Sequence, residues 1–194
     1  MKRWPVLLCL SFVLFAEAAG AADPVFGDSV TFRLNIPGGH FDSVKRDLTC
    51  AIDALRGSVT FHKYRRRGTW RPVLSVILRY GKEPKERSVV LRFAAPAIRP
   101  PFIIEMLGTE NDATLSAQIN FDSTVGADGT FSFLLLWNAA GDVTADAGGQ
   151  QYTLILGQRP QQLEISISSG DADVVYQLGH SADEKVDSGC KLAA

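Results

Sequence analysis

Residues 129–154 read GTFSFLLLWNAAGDVTADAGGQQYTL, and the fold turns on how this stretch is read. Phe131, Phe133, Leu135 and Trp137 recur at every second position, as do Tyr152, Leu154 and Leu156 further on. A period of two puts all the members of each set on one face of an extended strand. Between the runs lie NAAGD and DAGG, clusters of residues that turn the chain readily.

The same alternation extends in both directions. Val59 and Phe61 alternate with Thr60 and His62, and Leu74, Val76, Leu78 and Tyr80 share one face of PVLSVILRY. Leu115, Ala117, Ile119 and Phe121 are set against Thr114, Ser116, Gln118 and Asn120. Leu163, Ile165 and Ile167 alternate with Glu164, Ser166 and Ser168, and Val174, Tyr176 and Leu178 form a last run. Many short strands with one apolar face, separated by turns, define an all-β chain folded as an antiparallel two-sheet sandwich or barrel. At most one short helix is expected, near residues 42–55, where Val44, Leu48, Ala51, Ile52 and Leu55 approach helical spacing behind Asp42 or Ser43 as N-cap. The same stretch reads equally as a loop entering a strand. The prolines of AAPAIRPPF (94–102) interrupt any strand there and suggest an edge or a crossover between sheets.

The chain ends carry separate signals. Lys2 and Arg3 precede the apolar run Val6–Phe15, and small residues follow up to Asp23-Pro24. This is the pattern of a secretory signal peptide over residues 1–22, and ten apolar residues fall well short of the roughly 20 that span a bilayer. The expected location is periplasmic or secreted. Of 194 residues, 172 then remain, one β-sandwich domain over 23–194. That domain keeps Cys50 and Cys190, expected to form one structural disulfide. A loop of that length stabilises by about 4–5 kcal/mol in the chain-entropy picture.

From Gly57 to about Val175 the chain resembles the concanavalin A-like lectin/glucanase sandwich in its laminin-G-like form. The carrying segments are GSVTFHKY, RPVLSVILRYG, residues 129–154 and PQQLEISISS, with Gly129, Trp137, Gly141, Val143 and Gly148-Gly149 in the family's order. Thr130-Phe131 stands where the family often has Trp-His. The resemblance implies a curved jelly roll of two sheets, often binding carbohydrate on a concave face or on rim loops, and in some members calcium. Here Asn120, Asp122, Asp128, Asp142 and Asp146 offer oxygen ligands near strand ends. Asp and Asn also favour turns for their own backbone hydrogen bonds, so no metal or other cofactor is assigned. The family's glucan-cleaving members carry acidic residues alternating along one strand. Glu105 and Glu110 come nearest, but an odd separation sends them to opposite faces unless Gly108 bulges the strand. No catalytic residue is therefore assigned.

Charge is unevenly spread. Without Lys2, Arg3 and Glu17, the totals of 20 basic and 21 acidic residues become 18 and 20. Yet residues 62–99 hold eleven Lys and Arg against two acids, and residues 101–194 hold three against thirteen. The basic density peaks in HKYRRRGTWR (62–71), read as a hairpin turn with Gly68 supplying positive φ. Tyr64, Arg65, Arg66, Arg67, Trp70 and Arg71 are the candidate ligand-binding residues. Guanidinium forks recognise carboxylate or sulfate, and aromatic faces stack on sugar rings. An anionic polysaccharide or an envelope protein is the expected partner. Nucleic acid is disfavoured by export and by near-zero net charge. The contrasting expectation is a solvated edge whose basic strands pair with acidic ones. The leading function is a non-catalytic binding module of the cell envelope, the alternatives being a carbohydrate-active enzyme or a structural, self-assembling protein. Alkylation of the unreduced exported protein, followed by mass spectrometry, should find no free thiol.

Overall fold

A computed structural model describes residues 23–65, 67–68, 72–80, 88–94, 102–110, 113–121, 130–147, 149–155 and 157–180. Among them are thirteen β-strands and no helix. In chain order these are β1 (Val25–Phe26), β2 (Val30–Asn35), β3 (Phe41–Asp47), β4 (Ala54–Tyr64), β5 (Val73–Arg79), β6 (Ser88–Ala94) and β7 (Phe102–Glu110). They are followed by β8 (Ala113–Phe121), β9 (Thr130–Trp137), β10 (Asp142–Ala147), β11 (Gln150–Ile155), β12 (Gln162–Ser168) and β13 (Gly170–His180).

They form two antiparallel sheets. The seven-stranded sheet runs β1-β13-β4-β9-β10-β11, with β2 pairing β13 beside β1. The six-stranded sheet runs β3-β12-β5-β6-β7-β8. The expected two-sheet sandwich is what the chain adopts, and the period-two runs explain it. Leu55, Val59 and Phe61 of β4, Phe131, Phe133, Leu135 and Trp137 of β9, and Val174 and Tyr176 of β13 are all buried. So are Leu74, Val76 and Leu78 of β5, Val89, Leu91 and Phe93 of β6, and Leu163, Ile165 and Ile167 of β12. They join one hydrophobic cluster. Phe93 links the sheets: its ring meets Phe131 edge-on at 4.2 Å between centroids and lies 5.6 Å from Phe133.

Turn chemistry closes the strands where glycine was expected to. Gly141 has φ +85°, and a Cβ there would fall 1.9 Å from the Gln158 carbonyl oxygen, so only glycine fits the β9–β10 turn. Tyr80 donates to the Gly141 carbonyl at 3.4 Å, and burial, then Asp142, pushes its phenol pKa up.

Three expectations change. The stretch 42–55 holds no helix: Phe41–Asp47 is β3, paired residue for residue with β12, and β4 begins at Ala54. The loop-and-strand alternative prevails because β12 offers an open edge that satisfies β3's backbone. HKYRRRGTWR is not a hairpin, since β4 belongs to one sheet and β5 to the other. Gly68 does have positive φ, 60°, but in a segment crossing between sheets. Conversely, β6 and β7, the strands on either side of AAPAIRPPF, pair in one sheet and not across two; residues 95–101 themselves lie outside the described residues.

Phe93→Ala should lower unfolding free energy by about 3–5 kcal/mol, read as a shifted urea midpoint, because its ring is fully buried between both sheets.

Candidate functional site

The outer face of the seven-stranded sheet is built from the positions the core does not use. Along β4 these are Arg56, Ser58, Thr60 and His62, and along β9 Thr130, Ser132, Leu134 and Leu136. The register aligns them in rows. Thr31, Val175, Ser58 and Ser132 lie in one, and Gln177, Arg56, Leu134 and Asp146 in the next.

Between these two rows is a groove of about 470 Å³, lined by Arg56, Ser58, Ser132, Leu134, Asp146 and Gln177, among others. Its polar groups are held in place. Arg56 donates from Nε to the Gln177 side-chain oxygen at 2.6 Å, and its guanidinium sits 4.2 Å from the Phe26 ring centroid. Gln177 donates in turn to the Gly27 carbonyl at 2.9 Å. Asp146 accepts from the Gly149 N–H at 3.3 Å and from Gln151 at 3.1 Å. The remaining lining is slim: Ser58 and Ser132 place short hydroxyls there, and Val175 and Leu134 an apolar patch. Fixed donors and acceptors beside small and apolar residues suit a ligand with many hydroxyls and carbon–hydrogen faces.

Farther along β13, Asp171 and Asp173 flank Arg33. Arg33 grips buried Asp171 with a fork, Nε to Oδ1 at 2.8 Å and Nη2 to Oδ2 at 2.9 Å, and comes within 3.9 Å of Asp173. His62 Nε2 lies 2.7 Å from Asp173 Oδ2. Hydrogen bonding to Arg33 outweighs desolvation and holds the Asp171 carboxyl below the usual carboxylate range.

The basic segment lies beyond this cluster. Tyr64 is half-exposed and stacks on Phe61 at 5.4 Å, and partial burial raises its pKa. Arg65 is anchored, its N–H to the Ser169 carbonyl at 2.8 Å and its Nη1 to the Ile36 carbonyl at 3.3 Å. Arg67 is exposed, its stem over Gly38 and Gly39. Arg66, Trp70 and Arg71 lie outside the described residues. Tyr64 is six residues from Ser58 along β4, about 20 Å at strand rise, so the basic segment and the groove occupy different parts of one strand. Part of the basic half pairs with the acidic half, as Arg79 does with Glu164 at 2.6 Å.

The other candidates are also placed. The register runs through Gly108 without a shift, Val89 and Leu115 facing it on either side, so no bulge alters the odd spacing of Glu105 and Glu110. Both positions belong to the six-stranded sheet, not the sheet with the groove. Asp142 bonds the Asn138 side chain at 3.0 Å, and Asn138 and Asp146 serve turns. Asn120 ends β8 beside Phe121, and Asp122 and Asp128 lie outside the described residues. Among the described residues no group of three or more His, Cys, Asp or Glu could hold a metal, and no helix is long and apolar enough to cross a membrane. Cys50 is disulfide-bonded; Cys190 lies outside the described residues.

No family model matches the chain, and no curated protein matches it either. Solved structures do. A β-glucanase of Bacillus licheniformis is 13% identical over 79% of this chain and 78% of its own, with a TM-score of 0.52. A fructofuranosidase of Schwanniomyces occidentalis, complexed with fructose, is 9% identical over 81% of this chain and 34% of its own, with a TM-score of 0.54. A native glycosidic hydrolase is 10% identical over 81% and 80%, with a TM-score of 0.50. The fold is thus the concanavalin A-like jelly roll that the sequence resembles.

Asp171's depressed pKa ties acid stability to Arg33. Its contribution is present above the unfolded carboxyl's value, near 3.9, and is lost as pH falls through the folded value. Arg33→Ala should therefore destabilise most at neutral pH, and its difference from the parent should shrink toward pH 2, as urea unfolding at several pH values will measure.

Proposed function

We propose that the protein is an exported, non-catalytic carbohydrate-binding module that holds a glycan in the groove on the outer face of its seven-stranded sheet. The observation that carries this reading is the groove's lining, with Arg56, Gln177 and Asp146 around Ser58, Ser132 and Leu134. A guanidinium, an amide and a carboxylate can each engage neighbouring sugar hydroxyls two at a time, and Leu134 and Val175 can meet the apolar face of a ring. Because Arg56 is already braced by Gln177 and Phe26, little side-chain freedom remains to be lost on binding. The three structural neighbours bear the names of glucan- or sugar-processing proteins, an analogy of fold that supports the carbohydrate part of this reading and not its non-catalytic part.

A glycosidase needs one carboxyl kept protonated opposite a second. Among the groove's lining residues Asp146 is the one carboxylate, and outside it Arg33 holds Asp171 toward the ionised form. Both favour binding over hydrolysis.

The basic segment has a supporting part in the same proposal. Tyr64, Arg65 and Arg67 lie toward the end of β4 away from the groove, where an anionic chain leaving it would meet positive charge; Arg66, Trp70 and Arg71, outside the described residues, remain candidates from the sequence. Export through residues 1–22, a periplasmic or secreted location and a Cys50–Cys190 disulfide complete it, all three drawn from the sequence.

Glycan-array hits followed by calorimetry test it. Arg56→Ala and Asp146→Asn should each weaken binding by about ten- to a hundredfold, the loss of a charge-assisted hydrogen bond or two. Arg65→Ala/Arg67→Ala should weaken only anionic chains, and less so at high salt. Groove variants that bind as the parent does, or an array without hits, would end the proposal.

A further inference from the structure

We propose that β3 is a dimerisation edge, on which a second copy of this chain pairs antiparallel about Val44. Among the described residues β3 is the last strand of its sheet, bonded to β12 on one side. Its backbone parity is readable from the bonds at its ends. Leu48 N–H donates to the Gln161 carbonyl at 2.8 Å, and Ser169 N–H donates to the His40 carbonyl at 3.1 Å. Even-numbered residues of β3 therefore bond β12, and Phe41, Ser43, Lys45 and Asp47 turn their N–H and C=O groups to the open edge. Asp42 Oδ1 accepts from the Ser43 N–H at 2.8 Å, a local cap on one of these edge donors. Apolar surface accompanies the open backbone: Phe41 is 72% exposed and Val44 39%.

The order of side chains selects the partner. When FDSVKRD pairs with a second FDSVKRD about Val44, Phe41 faces Asp47, Asp42 faces Arg46, Ser43 faces Lys45, and Val44 faces Val44. The facing odd residues are those whose backbone groups point to the open edge, so they form the hydrogen-bonded pairs, Ser43 N–H exchanging its Asp42 cap for the Lys45 carbonyl of the second copy and freeing Asp42 for Arg46. The two valines meet at the closer, non-hydrogen-bonded spacing, and two Asp42–Arg46 pairs flank them. Shifting the register by two residues loses this match: in one direction Lys45 meets Lys45, in the other Arg46 meets His40 and Asp42 meets Val44. Charged residues on an edge strand discourage pairing with arbitrary strands, and this arrangement leaves one complementary register with itself. The operation is a two-fold axis, so the pairing closes and does not propagate.

A single seam is smaller than a standard interface, and the expected dissociation constant is on the order of micromolar to sub-millimolar. Sedimentation velocity of the purified protein over a wide concentration range, without glycan, should show its mass doubling. Val44→Lys places like charges on the axis and Asp42→Arg opposes Arg46; each should weaken the dimer at least tenfold. The double variant Asp42→Arg/Arg46→Asp should restore it. Thermal unfolding of each variant separates loss of pairing from loss of fold. As an independent readout, Val44→Cys should give a disulfide-linked dimer on mild oxidation, the axis bringing the two positions together, and Lys45→Cys should not. A monomer at every concentration, or a dimer indifferent to Val44→Lys and Asp42→Arg, would overturn the proposal.

Discussion

The contact on which the molecule depends is the dry one between the sheets, where Phe93 of one sheet meets Phe131 and Phe133 of the other. Burying both inner faces takes every second residue of β4, β5, β6, β9, β12 and β13 out of water, at about 1.5–3 kcal/mol for each large apolar side chain. That demand leaves the alternate positions free of packing. The groove is made from those freed positions, and the rigidity of the core beneath fixes their spacing.

The inner face was legible in the sequence for this reason. Leu163, Ile165 and Ile167, or Phe131 through Trp137, can alternate strictly only as half-buried strands. β3 was not legible, because an edge strand exposes most of its residues and Val44 and Leu48 happen to be four apart, as on a helix. Local turn chemistry misled in a different way. Gly68 takes the positive φ that its sequence suggested, yet φ at one residue does not say which sheet the next strand joins. The groove was hidden because Arg56, Leu134, Asp146 and Gln177 come from four strands separated by as much as 121 positions. Only the strand order brings them together, and outer positions carry no apolar signature to mark them.

The lopsided charge of the chain has its physical sense in the same strand order. Arg79, from the basic half, lies beside Glu164 of the acidic half, and Lys45 approaches the same carboxylate at 3.9 Å. Arg33, from the N-terminal strands, embraces Asp171. Sequence-distant strands alternate in the sheets, so opposite charges that are far apart along the chain become neighbours. Arg67 and Tyr64 both keep exposed side chains.

β13 lies between β4 on one side and β1 and β2 on the other. Val25 and Phe26, the first strand from the N-terminal side, pair with His180 and Gly179 near the far end of the described chain. A nascent polypeptide leaving the ribosome would carry β1 and β2 for some 150 residues before their partner was made. The sheet bearing the groove therefore assembles only once β13 has been made, and its long-range pairing favours slow closure. Until then β1 and β2 lack the strand that takes up their backbone hydrogen bonds.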